Sequence, residues 1–392
     1  MSPSRFFVTV VSVVLALIFA PPATAPCSGD RPVTGTQVTM QQLFRDLALV
    51  FRLSLEENRF EDASNRDEIL ASLYALAANA EQLEVHGRDA DPSSEFFQRS
   101  LVRDANEAVM RFRQGQFQGT RFLIEQLIDN CFACHSRLPS DRTFQIGERF
   151  LEETPVETMT EESRARVQVA MRQFDDALDT YELLFASQEL PASEIAATGA
   201  FEDYLRICLR VENDCERAVA TFERFRRRPD VPLYLDDRLR GWSGDLERIG
   251  KKRAQAARDP LGCGRELIRD AQYQSAFPND PKGTVGFMVA SGCLHRYLET
   301  PPEDDHRLAE ACYLLGVAES HVSPSYWQSQ TEALLEKAIR TAPRSVYGRM
   351  AFNFLEEYTV SGYTGSAGVN IPPDVEARLD ELRSLVESDG EN

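Results

Sequence analysis

In the segment Cys131-Phe132-Ala133-Cys134-His135 the residue types and their spacing point to chemistry. On a helix, side chains three and four apart share a face, so both thiols and the imidazole project together. The pattern fits covalent attachment of a c-type haem. Each thiol can add across a vinyl group of the porphyrin, and the adjacent imidazole then lies beneath the ring and donates a nitrogen to iron. Two other chemistries use the same residue types. A zinc site needs a second Cys/His pair at ligand spacing, and the sequence contains none. A redox-active Cys-x-x-Cys usually opens a helix in a βαβ setting, whereas this pair closes a helical stretch that Pro139 is expected to stop.

Attachment of this kind takes place outside the cytoplasm, and the N-terminus meets that requirement independently. Arg5 precedes an apolar run from Phe6 to Ala20, followed by Pro21, Pro22 and the small residues Ala23, Thr24 and Ala25. A positive start, an apolar run short of the ~20 residues of a membrane span and an Ala-x-Ala ending describe a secretory signal peptide over residues 1–25. Pro26 falls just after the expected cut, and Thr24-Ala25-Pro26 before Cys27 matches a lipobox poorly. No later apolar run is long enough to span a membrane, so a soluble periplasmic protein is expected. Eight cysteines in an oxidising compartment can form bridges. Cys208 and Cys215 flank an expected inter-helix turn and are close enough to pair; two buried free thiols are the other reading. Nothing in the sequence pairs Cys27, Cys263, Cys293 or Cys312.

Four helical stretches of similar length lead up to the motif. The first carries Met40, Leu43, Phe44, Leu47 and Phe51, a spacing that gives one apolar face. The second, from Asp67 to about Val85, repeats it with Leu70, Leu73, Ala77, Ala80 and Leu83. The third presents Phe97, Leu101, Ala105, Ala108 and Phe112 and closes at Gly115. The fourth runs through Ile124, Leu127, Ile128 and Cys131 to His135. Short connections between helices of matched length favour an antiparallel up-down-up-down bundle. In that topology the first helix starts where the second and fourth end, so Met40 and His86 both lie near the haem motif. Met40 sits on the apolar stripe and points inward, either as an iron ligand or as core filler. His86, just before Gly87, reads as a helix cap or a solvent-facing residue.

Residues 35–140 resemble cytochrome c′ and its low-spin relatives through the Cys131–His135 motif near the end of the fourth helix, Arg137 just after it and Met40 opening the first. The resemblance implies a haem held by Cys131 and Cys134 with His135 as proximal iron ligand. Low-spin members of the family use a methionine at the start of helix one as the opposite ligand, which makes Met40 the candidate sixth ligand. Nothing beyond this domain resembles the family.

From about residue 160 to 390 the pattern changes to helix pairs. Ala177 precedes Tyr181 by four, and Ala218 precedes Phe222 by four, each pair followed by a proline. A small residue below an aromatic lets one helix pack closely on its partner, as in the second helix of a tetratricopeptide repeat. Tyr313-Leu314-Leu315-Gly316 resembles the first helix of that repeat, and Ala338 and Pro343 its second-helix ending, displaced by an insertion at Ser320 to Pro324. The units are irregular, so a generic α-solenoid is expected. The glycine-rich stretch from Gly362 to Gly368 reads as a connecting loop, and Arg224, Arg226, Arg227 and Arg228 as a solvated helix end. His295, His306 and His321 read as structural.

The fold class expected is all-α: an N-terminal four-helix bundle carrying haem c, then a C-terminal α-solenoid. The net charge of −19 argues against nucleic-acid binding, which needs a basic surface. No nucleophile or acid/base constellation appears, so no enzyme is expected. The leading expectation is an electron carrier whose helical repeats dock a redox partner protein. A haem-based sensor of NO or CO, with iron five-coordinate, is the second reading; an assembly scaffold with a structural haem is the third.

Overall fold

Four long helices open the described chain: α1 (Gly35–Ser54), α2 (Arg66–Gly87), α3 (Pro92–Arg113) and α4 (Phe117–His135). They belong to a computed structural model that describes residues 35–87, 92–137, 145–250, 258–275, 280–322, 329–366 and 368–388. Residues 1–34, with the expected signal peptide and Cys27, lie outside the described residues. Each helix packs on the next, and α1 returns to α4. The apolar stripes meet in one core, where Val50, Leu73, Ala80, Ala105, Ile124 and Leu127 are fully or almost fully buried. A short helix, Glu57–Glu61, seals one end by setting Phe60 edge-on against Phe112 and Phe117. The turn into α4 follows from Gly115, at φ 72°, a left-handed conformation that glycine adopts without a Cβ clash. Gly115 N–H donates to Phe112 and Gln116 N–H to Arg111, the paired bonds of a Schellman cap.

Two shorter helices lead away, α5 (Gln145–Glu153) and α6 (Glu161–Ala170), the latter capped by Thr160 Oγ1 accepting from the Ser163 N–H. The next is α7 (Phe174–Ala186). Then come α8 (Ala200–Arg206), which runs into a π-helical segment at Ile207–Val211, α9 (Cys215–Phe225) and α10 (Leu233–Gly250). The chain ends in α11 (Pro260–Gln274), α12 (Thr284–Leu298), α13 (Asp305–Val322), α14 (Thr331–Thr341), α15 (Val346–Gly362) and α16 (Pro373–Glu387). Among the described residues the fold is all-α apart from Thr364–Gly365 pairing antiparallel with Gly368–Val369. Most sequence-neighbouring helices pack on one another, α10 packs on α12, α5 returns to α1, and α14 reaches back to touch α3. Ala177, Tyr181, Ala218 and Phe222 are fully buried, so each small-aromatic pair sits inside this second core.

Two details differ from expectation. Arg228 is not a solvated residue: its guanidinium donates to the carbonyls of Phe185, Ser187 and Leu190 and pairs with Asp230, satisfying backbone oxygens at and past the end of α7. Ser320 continues helix α13 to Val322 instead of opening an insertion, and residues 323–328 lie outside the described residues. Of the two readings of Cys208 and Cys215, the structure shows the buried thiols.

The two cores meet at α4. A helix turns 100° per residue, so Cys131 packs on the first core while its neighbour Phe132 packs on the second. Two guanidiniums, Arg166 and Arg206, each stand 5.5 Å from the Phe132 ring centre. Arg166 donates to Asp129 on α4 and to Asp203 on α8, both at 2.9 Å, and Arg206 donates to Asp203 at 2.6 Å and to the Val322 carbonyl. Asp203 is 2% exposed. A carboxylate that dry is stable only with such partners.

A second buried cluster lies deeper. Arg210 donates at 2.7 Å to both Ser291 and Glu319, Ser291 donates to Glu319, and His295 Nε2 stands 3.5 Å from Glu319. Burial alone would raise the Glu319 carboxyl, but Arg210, His295 and Ser291 hold it well below the ordinary range. Burial pushes the His295 imidazole down to about 4, with Arg137 and Arg210 adding to the effect and Glu319 opposing it.

Phe132→Ala should cost about 3–5 kcal/mol, the range for an emptied aromatic site in a core. Phe122→Ala, on the same helix but 57% exposed, should stay within about 0.5 kcal/mol. Urea unfolding of both variants tests this, and equal losses would place Phe132 outside the shared core. His295 sets a pH dependence. Between the unfolded value of 6.5 and about 4 the unfolded chain binds a proton that the folded one excludes. Stability should therefore fall as pH drops through that window, and His295→Gln should flatten the slope between pH 7 and 5. An unchanged slope would mean that His295 titrates normally.

Candidate cofactor site

The Cys131–His135 segment is the last turn of α4, closed by the Ser136 N–H donating to the Phe132 carbonyl at 2.9 Å. The helix thus stops at His135 before Pro139 is reached, and Pro139 itself lies outside the described residues. Cys131, Cys134 and His135 face a cavity of about 190 Å³ that is partly open to solvent. Met40, on the second turn of α1, lines the same cavity, with Leu43, Phe97, Leu101 and Leu127 among its apolar walls. All four candidate site residues are therefore brought together. His86 is in the last turn of α2, and its side chain lies outside the described residues.

What holds the imidazole comes from the other half of the chain. His135 Nδ1 stands 2.8 Å from the Ala170 carbonyl, at the end of α6. A carbonyl can only accept, so Nδ1 carries the proton and Nε2 keeps its lone pair. The Ala170 oxygen is exposed to this contact by an unusual turn. Arg172 sits at φ 60°, a left-handed conformation that disfavours a side chain. There the Arg172 N–H donates to Val169 and the Gln173 N–H to Gln168, so the capping bonds go to carbonyls other than Ala170. Gly147 on α5 presses on the same turn: a Cβ there would come within 2.4 Å of the Met171 carbonyl oxygen.

Burial pushes the His135 imidazole down to about 4; Arg172 and Arg137 add to this and the Ala170 bond opposes it. The ring is neutral at any ordinary pH, as a metal ligand must be. Burial, with Cys134 and Asp129 nearby, pushes the Cys131 thiol up to about 12. Arg137 is buried beside the cavity, donating to Ser94 at 3.0 Å and lying 6.0 Å from the Phe97 ring centre. Asn130 donates to Asp104 at 2.8 Å. Its own Oδ1, and Gln98 Oε1, are buried acceptors in residues of the cavity wall with no protein partner.

These residues fit a haem. Two thiols one helical turn apart, a neutral imidazole with its second nitrogen anchored, a thioether and apolar walls make up the donor set and the pocket of a c-type centre. Among the described residues no group of three or more His, Cys, Asp or Glu side chains is placed to hold a metal ion. A haem iron takes four ligands from the porphyrin and asks the protein for one or two. Sequence reasoning missed Ala170, Arg172, Asn130 and Gln98. The Ala170 contact spans 35 residues and involves a backbone oxygen, which leaves no residue-type signal. No family model, no curated protein and no solved structure matches the chain.

Proposed function

We propose that this chain is an exported c-type cytochrome that carries electrons, with one haem held through thioethers at Cys131 and Cys134 and through His135 to iron. The observation that carries the reading is the convergence of Cys131, Cys134, His135 and Met40 on one apolar cavity, with His135 Nδ1 tied to Ala170. On this reading α1 to α4 form a four-helix bundle of the cytochrome c′ kind, and the helices from α6 onward form a solenoid that docks a redox partner protein. A haem so held supplies a one-electron couple. The chain's own residues do the rest. The Ala170 carbonyl fixes the tautomer and orientation of His135, and the apolar walls exclude water. Met40 offers a thioether, which favours the reduced state relative to a second imidazole.

A second reading, a haem-based sensor of NO or CO, is favoured by one contact. The candidate iron ligand is bonded to the first helix of the C-terminal half, so any shift of His135 is passed directly to α6. The two readings differ in what Met40 does.

Haem peroxidase activity should stay with the polypeptide through denaturing electrophoresis, because thioethers survive it. Replacing both Cys131 and Cys134 with alanine should abolish the signal, and haem that washes out of the wild-type chain overturns the proposal. The spectrum of the reduced protein separates carrier from sensor. With Met40 bound to iron the wild type should be low-spin in both oxidation states and slow to take CO, and Met40→Ala should be high-spin, quick to bind CO and lower in potential. Immediate CO binding by the wild type would make Met40 a packing residue and put the sensor first.

A further inference from the structure

Away from the Cys131–His135 motif, the thiols of Cys263 and Cys293 are in contact. Cys263 Sγ and Cys293 Sγ stand 2.9 Å apart, bringing the first turn of α11 against the middle of α12. A disulfide bond is about 2.05 Å, so a small approach of the two side chains would join them. The two thiols have unequal surroundings. Cys293 is 4% exposed, whereas Cys263 is only partly buried. Cys263 also sits at the N-terminal end of its helix, where the orphan N–H groups and the macrodipole favour a negative charge. Its hydrogen bond with Cys293 and the nearby Arg296 hold the Cys263 thiol below its ordinary range, against burial, Glu266 and Asp259, whereas Cys293 is pushed up. The other described cysteines outside the haem motif, Cys208, Cys215 and Cys312, are buried.

We propose that Cys263 and Cys293 are a disulfide-forming pair, with Cys263 the sulfur that exchanges with solvent-borne thiols and disulfides. The inference stands independently of the haem. In the oxidising direction the Cys263 thiolate attacks one sulfur of a disulfide donor and expels the other as a thiolate. Cys293 then loses its proton and attacks the Cys263 sulfur of the mixed disulfide, expelling the second donor thiolate. Two electrons pass to the donor, which leaves as two thiols once it takes up the two protons that Cys263 and Cys293 lose. The bond would close a 30-residue separation and pin α11 to α12. Helix α12 also carries Ser291 and His295 into the buried Arg210–Glu319 cluster, so the staple would hold that cluster in register.

The test uses the full-length chain as purified, incubated either with oxidised glutathione or with dithiothreitol. Each sample is then denatured, alkylated with N-ethylmaleimide and mapped by mass spectrometry. After glutathione disulfide, a peptide pair joined through Cys263 and Cys293 and lighter by two hydrogens is expected, with Cys208, Cys215 and Cys312 alkylated. Dithiothreitol should return both as alkylated thiols and lower the thermal midpoint. Cys263→Ser should leave Cys293 fully alkylated and the haem signal unchanged. Alkylation of both Cys263 and Cys293 after glutathione disulfide, or pairing of either with another cysteine, overturns the proposal.

Discussion

The contact between His135 Nδ1 and the Ala170 carbonyl ties the candidate site to the rest of the molecule. A helix leaves its last carbonyls without intrahelical donors, and α6 hands one of them to a side chain at the end of α4. The bond does three jobs at once. It satisfies a buried backbone oxygen, settles which ring nitrogen keeps its lone pair, and docks α6 against the Cys131–His135 turn. Its position depends on the left-handed Arg172 and on Gly147, where a methyl group would meet the Met171 carbonyl. Local strain at Arg172, of the order of 1–2 kcal/mol for a residue with a side chain, is the cost of presenting that oxygen.

The same turn of α4 serves both cores because neighbouring residues on a helix point 100° apart. Cys131 faces the first core and Phe132 the second, with Asp129 one turn earlier reaching Arg166. The middle residues of a Cys-x-x-Cys-His motif are free of the chemistry, and here one of them does the packing. Arg166, Arg206 and Asp203 form a charged collar around the Phe132 ring, and each charge has a partner. Such a collar contributes little net stability relative to an apolar core, but it is costly to break by removing one member.

Local patterns were easy to read and long-range contacts were not. The stripes from Leu43 to Phe51 and from Ile124 to Ile128 are visible as periodicity, and so their helices and buried faces are legible. The closing turn at Gly115 is legible for the same reason, since glycine announces a left-handed position. Arg172 makes the same kind of cap without glycine, and its sequence gives no hint of it. Arg228 read as part of a solvated cluster because charge runs usually are; its burial follows from three carbonyls some forty residues earlier. Cys208 and Cys215 drew attention through proximity in sequence, whereas the thiols of Cys263 and Cys293, 30 residues apart, are in contact without any such signal. Pairing depends on where helices lie in space, which spacing alone does not encode.

The His135–Ala170 contact also links the local opening of the two cores. The imidazole at the end of α4 and the carbonyl at the end of α6 satisfy one another, so any fluctuation that lifts α6 away leaves that oxygen without its donor and frees the ring to turn. Local unfolding of the second core and loss of order at the Cys131–His135 turn are therefore coupled through one bond.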